Sequence, residues 1–296
     1  MSLRVSLGWA ARHLGRLLAC ALVYAAGLVL SRIVFLLLGI RAPRLAAQAD
    51  EGVAGYYLFA GSFALTSGLL PLAGRLAAGW RGRWLVLAWF LLASFAVGNP
   101  LEDAIYSSAE GLLWMVPVLV LPCALLAGAL ALLWAPRSAP GAGPGGLGSW
   151  RAGWPPARCI PRILAAVVAF PAVYFGFGII ASPLVAEYYR DGVAGLALPA
   201  ARVILGVELL RGLLFALAVL PVIRAWCGSR RELVRALGLA LFVLGATFEI
   251  VLAYQLPLVL RVTHTVEILA DSLVYAWVLV SLLAPCLGSG LEEPAR

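Results

Sequence analysis

Long apolar stretches dominate this chain, and short segments that contain arginine separate them. Runs of about 20 apolar residues, the length that an α-helix needs to cross a bilayer, recur eight times along the chain. They lie at residues 18–40, 53–73, 84–101, 111–134, 163–183, 201–222, 236–256 and 265–286. This pattern predicts an all-α fold, a polytopic integral membrane protein with a bundle of about eight transmembrane helices.

A segment rich in glycine, proline and arginine at residues 135–161 interrupts the apolar pattern. We interpret it as a cytoplasmic linker between two membrane halves of four helices each, 1–134 and 162–287. The first half begins with a short basic segment, and residues 288–296 form a tail. Four is an even number, so both halves would enter the membrane in the same direction, and any internal duplication would be a parallel repeat.

Two short motifs recur in both halves and favour such a duplication. The sequence Gly-Val-Ala-Gly occurs at residues 52–55 and again at 192–195, in each case near the start of the second helix of its half. Leu-Pro pairs at 70–71 and 220–221 then lie close to the ends of those helices. The alternative is that two unrelated halves share ordinary membrane-helix composition.

Composition excludes a soluble domain and indicates how the helices are oriented. Hydrophobic residues make up 63% of the chain and charged residues 12%, so the solvent for most side chains must be lipid. The net charge is +8, and arginine supplies every basic side chain except the two histidines. One alternating set of loops and flanks holds Arg4, Arg12, Arg16, Arg75, Arg81, Arg83, Arg137, Arg151, Arg158, Arg162, Arg224, Arg230, Arg231, Arg235 and Arg296, whereas the other holds Arg41, Arg44, Arg190 and Arg261.

The asymmetry between these loops predicts that both termini are cytoplasmic, by the positive-inside rule. It also explains the basic charge without nucleic acid, which we do not expect as a partner; the expected partner is the lipid bilayer. A composition rich in arginine, alanine, glycine and leucine but without lysine is typical of a high-GC genome, which points to a bacterial inner membrane. Oligomeric partners are not predictable from the sequence.

The five cysteines are Cys20, Cys123, Cys159, Cys227 and Cys286. In the predicted topology four of them lie at or near the cytoplasmic face, and Cys123 lies inside a helix. None has an obvious external partner, so the sequence predicts no structural disulfide.

Ionisable residues inside the membrane spans are the candidates for function, because a charge near the bilayer centre costs a few kcal/mol. They are Arg32, Glu102, Asp103, Glu208, Arg211, Glu249, His264, Glu267 and Asp271. When the direction of each helix is followed, all of them fall in the outer half of the membrane. The sequence therefore predicts a polar pocket that opens to the outside.

The last span carries the densest set of polar residues. Arg261, His264, Glu267, Asp271 and Tyr275 recur at three- and four-residue steps, which places them on one face of a helix. The opposite face, with Val262, Val266, Leu269, Leu273 and Val280, suits lipid or helix packing. In the sixth span, Glu208 and Arg211 form an i,i+3 pair.

Three interpretations compete for this cluster. It is a ligand or transport site, in which Arg32 and Arg211 bind an anionic group while carboxylates relay protons or bind cations. Alternatively, it is a metal-dependent or acid–base enzyme, with His264 and Glu267 as metal ligands and Glu208 or Glu249 completing the site. The third interpretation is a buried salt-bridge network that fixes helix packing.

We favour the first interpretation, with a small solute or a lipid headgroup as ligand. In that hypothesis Arg211 neutralises the ligand, Glu208 holds Arg211 in place, and His264 with Glu267 forms a titrating pair. A phosphate-binding loop, a nucleophile elbow and a Cys-x-x-Cys pair are all missing from the sequence, so no cofactor is predicted. Two smaller signals are an Asn99-Pro100 turn that ends the third span and Tyr188-Tyr189, expected to anchor the fifth span at the membrane interface.

Overall fold

The computed structural model of this chain is all-α, and it describes residues 3–40, 51–106, 109–134, 157–193, 196–247 and 256–287. Eight helices run through these residues: α1 (Leu3–Leu37), α2 (Glu51–Ala73), α3 (Trp80–Tyr106), α4 (Ala109–Leu133), α5 (Ile160–Arg190), α6 (Ala201–Ala225), α7 (Arg230–Thr247) and α8 (Leu258–Leu283). Each of the eight apolar runs corresponds to one of them. The linker core and the tail lie outside the described residues.

Six of these helices are long and apolar enough to cross a membrane, namely α1, α3, α4, α5, α6 and α8. Large apolar side chains on their outer faces remain uncovered by protein; on α5, Ile179 is 73% exposed and Ile180 is 72% exposed. Apolar surface of this kind, on helices of membrane-spanning length, is typical of a bundle that lies in lipid. The chain is therefore a multi-pass membrane protein.

The two halves of the chain use the same pairs of helices to pack. Within the first half α1 packs against α2 and α4, and α3 packs against α4; within the second, α5 packs against α6 and α8, and α7 packs against α8. Between the halves, α2 packs against α7 and α3 packs against α6. Small residues permit close approach at these interfaces, as at Gly68, where a β-carbon would collide with the Val243 side chain.

The loops after α2 and α6 meet at one end of the bundle, which we call the paired-loop end. The backbone N–H of Ala77 donates to the carbonyl of Ala225 at 2.6 Å, and the N–H of Cys227 donates to the carbonyl of Arg75 at 2.8 Å. Glu232 extends this connection by an ion pair with Arg75 at 2.8 Å. The opposite end of the bundle is called the far end below.

The third span is longer than the sequence predicts, because α3 does not end at Asn99-Pro100. It passes through a π-helical segment, Leu92–Val97, and continues as an α-helix from Gly98 to Tyr106. Pro100 lacks an N–H, and its ring crowds the preceding turn, so the wider π-helical turn before it accommodates the proline. The Asn99 side chain donates to the Leu244 carbonyl at 2.7 Å and so ties α3 to α7.

The expectation that no cysteines pair is wrong. Cys159, just before α5, is joined by a disulfide to Cys286, in the short helical turn after α8, and their α-carbons are 5.5 Å apart. These residues are 127 positions apart in sequence, so only the packing of α5 against α8 brings them together. Cys20, Cys123 and Cys227 are free.

Candidate functional site

Arg211 is the centre of a buried ion cluster at the far end of the bundle. Its Nη2 lies 2.6 Å from Glu102 Oε2 on α3, and its Nη1 lies 2.8 Å from Glu208 Oε2 on its own helix. The Glu208 side chain is fully buried and that of Arg211 nearly so, whereas the Glu102 side chain is 29% exposed. Glu102 is thus the partner that an incoming group can reach.

Aromatic rings close the other sides of the Arg211 guanidinium. Its central carbon lies 5.4 Å from the ring centre of Phe170 and 5.7 Å from that of Phe215, which is within the range of cation–π attraction. The neighbouring Gly212 allows α5 to come this close, because a β-carbon there would lie 2.7 Å from the Val167 carbonyl oxygen. The site therefore depends on tight packing between α5 and α6.

Two polar atoms of this cluster have no hydrogen-bond partner among the described residues. They are Oε1 of Glu208 and Nε of Arg211, and both are buried. Buried polar atoms in folded proteins nearly always have a partner, which is protein, water or ligand. The cluster is therefore incomplete as a purely internal salt-bridge network.

A second set of polar groups lies between α5 and α8. His264 Nδ1 is 2.8 Å from Glu267 Oε2, and His264 Nε2 is 3.0 Å from the Tyr189 hydroxyl. Gly178 faces the other Glu267 oxygen, which would be 3.4 Å from a β-carbon at that position. The two ring nitrogens of His264 thus have fixed partners, as in sites where a carboxylate orients a histidine.

Asp271 connects the two sets electrostatically. It lies within range of the charges on Glu267, Glu102 and Arg211, so the polar face of α8 continues into the Arg211 cluster. Two further tyrosines, Tyr106 and Tyr174, lie close to Glu102 and Glu208. The Tyr106 and Tyr174 hydroxyls are 2.8 Å apart, and the Tyr106 ring is 5.9 Å from that of Tyr189.

The predicted stripe on the last span is the polar face of α8. Val262, Val266, Leu269 and Leu273 on the opposite face are exposed, whereas Val280 is buried and packs in the core. Tyr275 ends the stripe deep in the bundle, where its hydroxyl is 3.1 Å from the Ala166 carbonyl and 3.3 Å from that of Gly212. Tyr275 thereby fastens α8 to α5 and α6 just beneath the site.

Not every predicted site residue joins this cluster. Arg32 is exposed, and its guanidinium lies 5.8 Å from the ring centre of Trp114 on α4. Arg261 lies one turn before His264 at the start of α8. Glu249 lies outside the described residues. The described part of the chain has no group of three or more His, Cys, Asp or Glu residues placed to hold a metal ion, and Glu208 faces Arg211.

Sequence reasoning missed the aromatic members of the site. Tyr189 was expected only to anchor α5 at the membrane interface, and nothing in the spacing of Tyr106, Tyr174 or Phe170 indicates that they meet. Their proximity results from the packing of α6 against both α3 and α5, and of α5 against α8.

Comparison with protein-family models, with curated proteins and with solved structures finds no match to this chain. The structure itself defines the class: an all-α, multi-pass membrane protein with a buried arginine–carboxylate cluster at one end of its bundle.

Proposed function

We propose that this protein binds a small polar solute or a lipid headgroup at the Arg211 cluster and transports it. One observation carries this proposal. Arg211 and Glu208 are buried and each has a polar atom without a hydrogen-bond partner among the described residues, and the neighbouring Glu102 carboxylate is partly exposed. A site that binds ligand needs both features, because the ligand must reach the cluster and must then satisfy those atoms.

A purely structural role for the charges explains these features less well. Buried ion pairs that only fix packing are stable when hydrogen bonds satisfy every charged atom. The Arg211 cluster leaves Glu208 Oε1 and Arg211 Nε without partners. The position beside Arg211 that the sequence analysis assigned to an anionic ligand is occupied by the Glu102 carboxylate, which is partly exposed.

Native mass spectrometry of the detergent-purified protein tests the proposal by detecting retained mass beyond the polypeptide. We expect a small-molecule or lipid adduct that is lost in Arg211→Ala and in Glu102→Gln. The second variant keeps Arg211 paired with Glu208 and so guards against simple unfolding. Arg81→Ala, which removes an arginine at the paired-loop end, is the control and should retain the adduct. Retention of the same adduct by all three variants would exclude binding at this cluster.

An acid–base or metal-dependent enzyme is the second candidate, and the His264 geometry favours it. Glu267 holds one nitrogen of His264 while the other contacts Tyr189, as expected for a histidine that transfers a proton. Elemental analysis of the purified protein separates the metal-dependent form. Stoichiometric metal that disappears in His264→Ala would favour the enzyme over the carrier.

We also propose that both termini are cytoplasmic and that the host membrane is a bacterial inner membrane. The arginine distribution supports this orientation, and the lysine-free composition supports a bacterial host. The Arg211 cluster at the far end would then face the outside, and the paired loops with Arg75 and Arg230 would lie in the cytoplasm.

We further propose that the two halves are a parallel repeat. The pattern of helix pairs in the first half repeats in the second. Pro71 precedes Leu76 by the same number of residues as Pro221 precedes Trp226, and these last two positions bridge each other. When each residue of one loop is matched with its counterpart in the other, the hydrogen bond from Ala77 to Ala225 corresponds to the one from Cys227 to Arg75. A twofold axis through the paired loops requires this relation. The charged cluster, by contrast, has its arginine in the second half alone.

A further inference from the structure

We infer that the ligand of the Arg211 cluster is a cation, an ammonium group with an oxygen acceptor close to it. This inference rests on the proposed function and specifies the substrate class of the same site. Such a group occurs in free amino alcohols and in the headgroup of an amine-bearing phospholipid. The shared chemistry, an N–H-donating cation beside an oxygen, is what the cluster would recognise.

The balance of charge at the site favours a cation. Glu102, Glu208, Glu267 and Asp271 contribute four carboxylates, and Arg211 is the permanent cation among them. Asp103, next to Glu102, and Arg261, one turn before His264, have opposite signs and together add no net charge. Because like charges in a low-dielectric site repel strongly, either protons or a bound cation must relieve the repulsion among these carboxylates, whereas an added anion would increase it.

The unpaired atoms specify the hydrogen bonds that such a ligand would make. Glu208 is fully buried, and its Oε1 has no donor among the described residues, so it requires an N–H or O–H from outside. An ammonium group supplies that donor, whereas an anion does not. Arg211 Nε lacks an acceptor, and an oxygen near the ammonium group would accept from it.

Three tyrosines close to the carboxylates suit the same ligand. Tyr106 and Tyr174 lie near Glu102, and the Tyr189 hydroxyl contacts His264, the partner of Glu267. Faces of aromatic rings attract cations, and ammonium groups are commonly recognised by such rings combined with carboxylates.

Protons compete with this cation for the same carboxylates, so binding should weaken as the pH falls. The titratable and charged groups carried by the stretches of helix around the site are Glu102, Asp103 and Tyr106 on α3, Tyr174 and Tyr189 on α5, Glu208 and Arg211 on α6, and Arg261, His264, Glu267, Asp271 and Tyr275 on α8. Protonation of His264 would add positive charge and act in the same direction.

Ligand titration of the protein in nanodiscs of phosphatidylglycerol, a lipid without an amine, tests the inference. Ethanolamine is the probe, and tetramethylammonium, which has the charge but no N–H, is the matched ligand control. We expect ethanolamine to raise the Tm and to bind at least tenfold more tightly than tetramethylammonium. Asp271→Asn and Glu102→Gln should each weaken ethanolamine binding about tenfold, equivalent to about 1.4 kcal/mol. Glu187→Gln, which removes an exposed carboxylate from α5, should leave it unchanged.

Retention of lipid distinguishes the two sources of the amine. If native mass spectrometry finds that the protein retains phosphatidylethanolamine rather than phosphatidylglycerol, and that Asp271→Asn loses it, the ligand is a lipid headgroup. If the protein binds only free ethanolamine, the ligand is a solute. Stabilisation by inorganic phosphate but by neither amine would overturn the cation inference and leave the proposed function standing. No response to amines or phosphate, together with no retained lipid, would overturn both.

Discussion

Arg211 shows how a short-range sequence signal and a long-range contact combine in one site. The i,i+3 spacing predicts its pairing with Glu208, and the structure confirms that contact at 2.8 Å. Its shorter contact is with Glu102 on α3, and this contact requires two distant parts of the chain to lie at the same depth in the bundle. The sequence predicts that both residues lie in the same half of the bilayer, but their spacing does not show that they touch.

Removing Arg211 should destabilise the protein more than removing the whole ion pair. Arg211→Leu leaves Glu208 as a buried charge without a partner, which costs about 3–5 kcal/mol, whereas Glu208→Gln combined with Arg211→Leu removes that charge. We expect the Tm in detergent to fall markedly in the single variant and to recover partly in the double variant. Equal Tm values for the two would mean that the Glu208 charge is not buried against Arg211.

Helix pairs explain how α5 and α8 are held together along their length. The disulfide joins them at the paired-loop end, Tyr275 donates to the Ala166 carbonyl in the middle, and His264 contacts Tyr189 at the far end. The sequence predicts the polar face of α8 because a period of 3.6 residues repeats over it. It does not predict the disulfide, because two cysteines far apart in sequence have no local pattern.

Breaking the disulfide should loosen this helix pair from the paired-loop end. Closing a loop of this length contributes up to about 5 kcal/mol in chain-entropy terms, and less where the unfolded helices remain in the membrane. Cys159→Ser and Cys286→Ser should therefore lower the Tm by similar amounts, and the double variant should lower it no further. Cys227→Ser, at a free cysteine, is the matched control. Mass analysis after alkylation without reductant should find three alkylated cysteines in the wild type.

At the scale of the whole molecule, the paired loops connect the two halves through Glu232 and Arg75. The pKa of Glu232 lies below its ordinary value, chiefly because the Ser229 backbone N–H donates to the carboxylate, with Arg75 adding to the effect. A carboxyl whose pKa is lowered by folding stabilises the folded state fully above its unfolded pKa of about 4.3, and that contribution is lost as the pH falls through the lower, folded value.

Glu232→Gln should consequently reduce stability at neutral pH and have little effect in strong acid. Because the pair is exposed, we expect a loss below about 1 kcal/mol, smaller at high salt. Thermal unfolding of both proteins across pH 2 to 7 measures the difference. A gap in Tm that stays constant, or widens towards low pH, would contradict this account. Glu187→Gln, an exposed carboxylate at the far end, should follow the wild-type curve.

The orientation of the bundle has its own test. Impermeant thiol reagents should label Ala78→Cys from the cytoplasmic side of inverted membrane vesicles, and Gly192→Cys from the outside of intact cells. Both positions lie in loops, at the paired-loop end and the far end respectively. Labelling of both from the same side would refute the alternating topology, and labelling of each from the opposite side would invert the proposed orientation.

The sequence alone determined the class of this protein and the positions of its helices. A run of about 20 apolar residues is a local property of the chain, so each of the eight helices is readable without its neighbours, and six of them are long and apolar enough to cross a membrane. The end of the bundle that holds the charged residues also follows from counting alternating helices. Tertiary structure alone decided which groups meet: Glu102 with Arg211, Tyr189 with His264, Cys159 with Cys286, and α3 continuing past Pro100. These contacts depend on how helices rotate and approach one another, and that is set by close packing of small and large side chains across interfaces rather than by any pattern within one helix.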